Sequence, residues 1–357
     1  MSQFTYTANP SRVIFGSGTL SQIATEVSTQ GFTAAMILCT PYQVDDARRI
    51  EHLLGAKASH IFSEATMHTP TSITEKALAI VENKKVDCLV SIGGGSTTGL
   101  GKAISIRTGI YHICIPTTYA GSEMTSILGQ TSQGLKTTIK DPRVLPGTVI
   151  YDVDLTKTLP AGLSATSGIN AIAHAAEALY APDSNPIIRL IAREGIRALA
   201  EALPDIMKDQ ESHDARYKAL YGAWLCGMCL GSTTMSLHHK LCHTLGGSFD
   251  LPHAETHTIL LPHTLAYNCP AAPTLDAELA ELLPGGYSSG IEGLNRLLDQ
   301  LNVKRALKDF WFNEDDIDRA ASIAMENQYA NPRKVEREKI CELLRRAWAG
   351  EPARVDG

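Results

Sequence analysis

Histidine recurs between residues 238 and 253 at spacings that suit acid–base or metal chemistry: His238, His239, His243 and His253. His239 and His243 are four apart and so share one face of a helix. Upstream, Asn170, His174 and Glu177 stand four and then three residues apart in the Ala-rich segment 168–180, which contains no Pro. That pattern predicts a tightly packed helix carrying a polar column, with Ser167 or Gly168 at its start. A polar column on an apolar helix needs partners, and the downstream histidines are the expected ones. Imidazoles change charge near neutral pH, so such a cluster can exchange protons with a substrate; it is also a donor set for zinc.

A second set of residues suits phosphate. The apolar run Val90–Ile92 leads into Gly93-Gly94-Gly95, then Ser96, Thr97 and Thr98, and on to Lys102. The spacing is neither G-x-G-x-x-G nor a P-loop. Glycines ahead of a helix still let backbone N–H groups approach a ligand closely, and the helix N-terminus favours an anion. The loop from Pro116 to Thr125 also follows an apolar run and offers the hydroxyls of Thr117, Thr118, Tyr119 and Ser122. Gly16-Ser17-Gly18 is a third turn, read equally well as structural. Cys226-Gly-Met-Cys229 is formally C-x-x-C but lies in a helical pattern without a second pair, and reads as two buried thiols. His60 and His112, isolated among apolar residues, read as core histidines.

These residues need elements to hold them. Arg12–Gly16, Ala34–Cys39, His60–Phe62, Val86–Ile92, Tyr111–Ile115 and Thr148–Asp152 are short apolar runs. Helical patterns lie among them at 19–28, 42–55 and 72–83. Continuous apolar strands alternating with helices predict a parallel sheet covered on both faces, and its ligands bind at the carboxyl ends of the strands. After Leu155 the strand patterns stop and helical ones run to the C-terminus. The chain is therefore expected to divide into an α/β domain, 1–157, and an all-helical domain, 158–357.

Composition narrows the function. The chain has 357 residues, 44% hydrophobic and 20% charged, with a net charge of −6. A nucleic-acid partner would call for a basic face, and no window has the length and apolarity of a membrane span. The first residues lack the basic and apolar regions of a signal peptide. Eight scattered Cys without a disulfide framework fit free thiols in a reducing cytoplasm.

In this order, Gly93–Ser96, Pro116–Thr118, Gly168–Tyr180 and His239–His253 resemble the iron-containing (group III) alcohol dehydrogenase superfamily, over nearly the whole chain. Gly93–Lys102, Asp141–Pro146, Ser164–His174 and Asn331-Pro332-Arg333 are similar to the branch whose substrate is maleylacetate. The resemblance implies an N-terminal dinucleotide-binding domain, an all-helical C-terminal domain of the dehydroquinate synthase-like architecture, an active site between them, and a homodimer. Metal-dependent members hold a divalent ion with one Asp and three His; the matching positions are Asn170, His174, His239 and His253. His243 matches a further His near the nicotinamide. Gly94, Gly95, Ser96 and Thr97 match the pyrophosphate turn, and Thr117, Thr118 and Lys136 match other cofactor contacts. Where relatives carry an Asp that excludes NADP, this chain has Cys39-Thr40-Pro41, so NADH and NADPH are both expected to serve.

An amide replaces the carboxylate at 170, and the resemblance implies work without a metal. The alternative is a metal-dependent dehydrogenase of a small alcohol or aldehyde, with His174, His239 and His253 as ligands. Maleylacetate is a dianion whose carbon–carbon double bond is conjugated to a ketone. Hydride added to the remote alkene carbon builds an enolate, which needs proton donors at its oxygen and an acid for the neighbouring carbon, giving 3-oxoadipate. His243 or His253 is the expected acid; His174, His239 and Asn170 orient the substrate or bind the enolate oxygen. Lys240, His238, Tyr119 and Ser122 are the expected carboxylate partners, with Lys136 a further candidate and Lys140 and Arg143 equally plausible as solvated residues. A sugar-phosphate synthase would show a basic phosphate-binding cluster, which the chain lacks. A bare nucleotide-binding module would have little need for the histidines.

Overall fold

The computed structural model describes residues 4–9, 11–132 and 135–355, with Leu135 and Lys136 described in their backbone only. The chain forms two compact units, one from Ala8 to Leu159 and one from Pro160 onward that includes residues 4–7.

The first unit is built on six parallel strands: β1 (Arg12–Gly16), β2 (Ala35–Leu38), β3 (Ala58–Phe62), β4 (Cys88–Gly93), β5 (Tyr111–Pro116) and β8 (Thr148–Asp152). Their order across the sheet is β1-β8-β5-β4-β2-β3. The central strands are apolar on both faces because both are covered. Ile37 and Val90 pack with Leu20, Ile23 and Ile50 on one side; Met36 and Leu89 pack with Val81, Leu100 and Ile104 on the other. The covering helices are α1 (Ile23–Thr29), α2 (Val44–Leu54), α3 (Thr71–Lys84) and α4 (Gly95–Thr108). An antiparallel hairpin, β6 (Ile127–Ser132) and β7 (Leu135–Lys140), was not anticipated. Its residues are Thr, Gln, Ser, Gly and Lys as much as apolar, so no alternating pattern marks it.

The second unit is helical: α5 (Ala161–Tyr180), α6 (Pro186–Lys208), α7 (His213–Ser232), α8 (Leu237–Phe249), α9 (His253–Asn268), α10 (Leu275–Leu282), α11 (Gly290–Gln300), α12 (Ile317–Met325) and α13 (Arg337–Ala349). Sequence reading placed the start of α5 at Ser167 or Gly168, but the helix begins at Ala161 after Pro160. Gly168 lies inside it for a packing reason: a Cβ there would meet Leu203 Cδ2 of α6 at 2.6 Å. α6 starts where Asn185 Oδ1 accepts from the Ile187 and Ile188 N–H groups at 3.1 Å, with Pro186 at the first helical position. α8, α9, α12 and α13 share one core around Leu241, Leu245, Leu260, Ala320 and Leu344.

All eight Cys are buried and unpaired. Cys226 and Cys229 lie within α7, and burial pushes both thiols far up, Cys229 to about 12, so neither forms a reactive thiolate. Among the described residues no helix is long and apolar enough to cross a membrane.

Candidate active site

α5 carries its polar column as anticipated. Asn170, His174 and Glu177 are all buried, in a helix that is otherwise mostly Ala and Ile. The partners of His174 and Glu177 come from α8 and the residue before it. Glu177 Oε1 accepts from the His238 backbone N–H at 2.8 Å. Glu177 Oε2 accepts from the Ser236 N–H at 2.8 Å and lies 2.7 Å from His239 Nδ1. A carboxylate only accepts, so His239 Nδ1 carries the proton and, in the neutral ring, Nε2 bears the lone pair. That nitrogen faces His174 Nδ1 at 2.9 Å, so His174 donates. The chain Glu177–His239–His174 is thus directed: it leaves the lone pair of a neutral His174 on Nε2. A proton arriving there shifts one place along and leaves the charge on His239, against the carboxylate.

A second chain runs beside the first. The Thr264 hydroxyl reaches its own helix carbonyls, Leu260 O at 3.1 Å and Leu261 O at 3.0 Å. It therefore accepts from His238 Nδ1, 3.0 Å away. His238 Nε2 is then the acceptor for His257 Nδ1 at 2.9 Å. His257 Nε2 bears a lone pair, fully buried and without a hydrogen-bond partner among the described residues; Asn170 Oδ1 is in the same position. Burial, then the neighbouring imidazoles, pushes His238 and His257 well below the usual range, so both are neutral. His238 was expected to bind a substrate carboxylate. Fully buried, neutral and with both ring nitrogens engaged, it does not fit that role.

His243 and His253 differ from these four in being exposed. His243 Nδ1 lies 3.1 Å from the Tyr329 hydroxyl, and its ring is 6.0 Å from that of His239. His253 opens α9 and its ring lies 4.4 Å from that of His257. Lys240, one residue after His239, places Nζ 5.8 Å from the Tyr329 ring centre.

At the positions matching the divalent-ion ligands of the metal-dependent dehydrogenases stand His174, His239, His253 and, in place of a carboxylate, the amide of Asn170. The amide supplies no negative charge, so any ion there would be held by imidazoles alone. His174 Nδ1 and His239 Nε2 are paired with each other. Among the described residues the His, Cys or carboxylate donors that converge within 4.8 Å are His238, Cys242 and His257, a different trio.

In the α/β unit, β4 ends at Gly93 and α4 begins at Gly95. Gly93 has φ +138°, and a Cβ on it would meet Gln43 Oε1 at 2.5 Å, so glycine is required there. A Cβ on Gly94 would sit 3.1 Å from the Thr118 side chain, which brings the glycine turn and the Thr loop together. Gln43 links the neighbouring segments: its Oε1 accepts from Thr40 Oγ1 at 3.0 Å and its Nε2 donates to Thr117 Oγ1 at 3.1 Å. The hydroxyls of Thr97 and Thr98 turn back onto Gly94 O at 2.9 and 3.1 Å, so the pair serves the turn itself, and Ser96 is left as the hydroxyl that flanks it. Tyr119 is fully buried and Ser122 half-buried. The side chain of Lys136 lies outside the described residues. Arg143 pairs with Asp141 at 2.7 Å on the surface, its side chain 65% exposed, which is the solvated reading of that loop. His112 is a core histidine: its Nε2 is 2.7 Å from Ser91 Oγ, and burial pushes it down to about 3.

Sequence reasoning assigned no site role to Glu177, although it stood in the column. It missed His257, whose four-residue spacing from His253 was the available signal. Tyr329, Gln43 and Thr264 gave no local signal.

Residues 10–153 match the family described as iron-containing alcohol dehydrogenase, and residues 164–348 its C-terminal part. The chain is 51% identical to the maleylacetate reductase of Rhizobium sp. (strain MTP-10005), covering 98% of this chain and 99% of the relative. It is 49% identical, over the same shares, to that of Burkholderia cepacia. The solved maleylacetate reductase of Agrobacterium tumefaciens superposes with a TM-score of 0.95 at 51% identity, over 99% of this chain and all of that one.

Proposed function

The chain belongs to the iron-containing alcohol dehydrogenase family, and from that premise we propose that it reduces the carbon–carbon double bond of maleylacetate to 3-oxoadipate, in the breakdown of aromatic compounds. The observation that carries this reading is the near-complete match, at about half identity, to relatives named for that reaction. The donor set supplies the chemical reason: an enone needs proton donors more than a Lewis acid.

A bound NADH or NADPH would supply hydride to the alkene carbon remote from the ketone. Electrons move onto the ketone oxygen as an enolate, and a proton is added to the neighbouring carbon. The glycine turn Gly93–Gly95 with Ser96 takes the pyrophosphate at the start of α4. Thr117, Thr118 and Thr40 line the same edge of the sheet, and Cys39-Thr40-Pro41 stands where the resemblance implies an Asp that excludes a 2′-phosphate.

His174, held by His239 and Glu177, faces the enolate oxygen. A proton taken from water onto His174 Nε2 before hydride transfer leaves the charge on His239 beside Glu177, and the Nε2–H then donates to that oxygen as negative charge develops. His243 is the acid that protonates carbon, with His253 the alternative. Both are exposed and so reload from water after each turnover, and the Tyr329 hydroxyl fixes the His243 ring. Lys240 is the carboxylate partner. The working form is a homodimer, in the cytoplasm, and no metal takes part.

The experiment is NADH oxidation with maleylacetate, on protein whose metal content is measured before and after chelation. Turnover by metal-free protein supports the reading. Turnover that appears only when iron or zinc is restored defeats the metal-independent mechanism and brings forward an alcohol dehydrogenase that uses Asn170 as a ligand.

A further inference from the structure

Lys102 lies two turns into α4 and is fully buried. A lysine in that position needs compensation for its lost hydration. Its partners are neutral oxygens: Ser122 O at 2.6 Å, Thr125 O at 2.7 Å, Thr125 Oγ1 at 2.8 Å and Ile127 O at 2.8 Å. Three are main-chain carbonyls, gathered where the 3-10 turn Ser122–Met124 ends and β6 begins.

Carbonyls converging on one point repel one another unless a cation sits among them. A neutral amine offers two hydrogens and an ammonium three, so four oxygens at these distances select the charged form. Burial pulls the Lys102 ammonium down to about 7, opposed first by the neighbouring Cys114 and then by the buried Glu123. Glu123 itself accepts from the Tyr151 hydroxyl at 2.8 Å. The group resembles a monovalent-cation site made of carbonyl oxygens, with the cation tethered to a helix.

That helix is the one whose first turn follows Gly93 and Gly94. The segment it holds is the end of the loop that begins with Thr117 and Thr118, and Thr118 lies against Gly94. At the start of the 3-10 turn, Gly121 has φ +76°, a left-handed bend that lets the chain double back toward Lys102.

We propose that Lys102 is a positioning residue for the nicotinamide cofactor: its ammonium acts as a fixed cation that gathers the Ser122, Thr125 and Ile127 carbonyls and so sets the Thr117–Thr125 loop beside the glycine turn. The inference rests on the reading of these two segments as the cofactor site.

The test is chemical rescue, read by NADH fluorescence. Lys102→Ala leaves a channel the length of the lost side chain, and its NADH Kd rises about tenfold. Millimolar ammonium or methylammonium restores tight binding, whereas tetramethylammonium at equal ionic strength, too large for the carbonyls, does not. Lys102→Met fills the channel without a charge: NADH binding weakens as much and no amine restores it. Wild-type affinity in either folded variant overturns the proposal, as does a loss in Lys102→Ala that ammonium leaves unchanged. If Lys102→Ala does not fold, Lys102→Met decides, by weak or wild-type NADH affinity with native circular dichroism. Failure of the wild-type protein to bind NADH would instead overturn the proposed function.

Discussion

Two hydrogen-bonded chains of histidine run side by side through the helical unit, and they end differently. Glu177–His239–His174 ends on a carboxylate that accepts from three N–H groups. Thr264–His238–His257 ends on a hydroxyl. Both fix tautomers. Only the first offers a negative charge for an imidazolium to lean on; the second is held neutral by burial and by its neighbours. The terminal group, more than the rings, separates a chain able to carry charge from one that serves as scaffold.

The most damaging way to erase that contrast is Glu177→Gln. The amide has one acceptor and a donor that competes at His239, so the tautomer is no longer dictated. Turnover is expected to fall by about 10³- to 10⁴-fold, the scale seen when a triad carboxylate becomes an amide, with NADH affinity retained. Steady-state kinetics beside NADH titration reads this, and equal losses in both would point to misfolding instead. Next comes His243→Ala, expected to cut turnover by about 10²-fold with cofactor binding unchanged. His253→Ala run in parallel identifies the acid, since the smaller loss belongs to the bystander.

Thr264→Val breaks the neutral chain without changing its shape. It leaves His238 Nδ1–H buried without a partner and is expected to cost about 1–3 kcal/mol of stability with a small change in turnover. Denaturant unfolding together with kinetics separates the two. If turnover falls as far as in Glu177→Gln, the second chain is catalytic and the contrast fails.

Acid sharpens the comparison further. His112 and His263 are pushed down to about 3, mainly by burial, and His238 and His257 well below their usual value. The unfolded chain takes up protons at these rings near 6.5, and the folded chain does not until far lower pH. These rings are therefore expected to lower stability below about pH 6.5, by up to ~1.4 kcal/mol per pH unit for each ring. Urea unfolding at pH 7.5 and pH 5 tests the sign; greater stability at pH 5 would contradict it. The smallest effect on stability is expected from Asn170→Asp, read by metal analysis: the restored carboxylate gives the variant retained zinc or iron.

The parallel sheet was legible because strands covered on both faces, such as Ala35–Leu38 and Cys88–Gly93, are written as unbroken apolar runs. The hairpin Ile127–Lys140 was not, because Gln130, Thr131 and Ser132 face partly outward and no period survives. Of the site, the column on α5 and the histidines of α8 could be read from helical spacing. Their pairing could not. Which nitrogen faces which depends on how α5, α8 and α9 approach one another, and a mid-helix Thr264 looks like any other threonine until His238 is seen against it. His238 itself was misassigned because adjacency to His239 says nothing about depth: consecutive residues on a helix point about 100° apart, and one faces the carboxylate while the other faces the core.

Gly168 gives the column on α5 a dependence on its neighbour helix. It touches nothing reactive, yet α6 comes so close there that one methyl group would have to push Leu203 aside. A helix displaced at that crossing moves as a rod, and Asn170, His174 and Glu177 travel with it. The placing of the hydrogen-bonded relay at His174 and His239 is thus tied to a missing methyl less than two turns earlier on the same helix. Drift in this enzyme's chemistry need not begin at its chemistry.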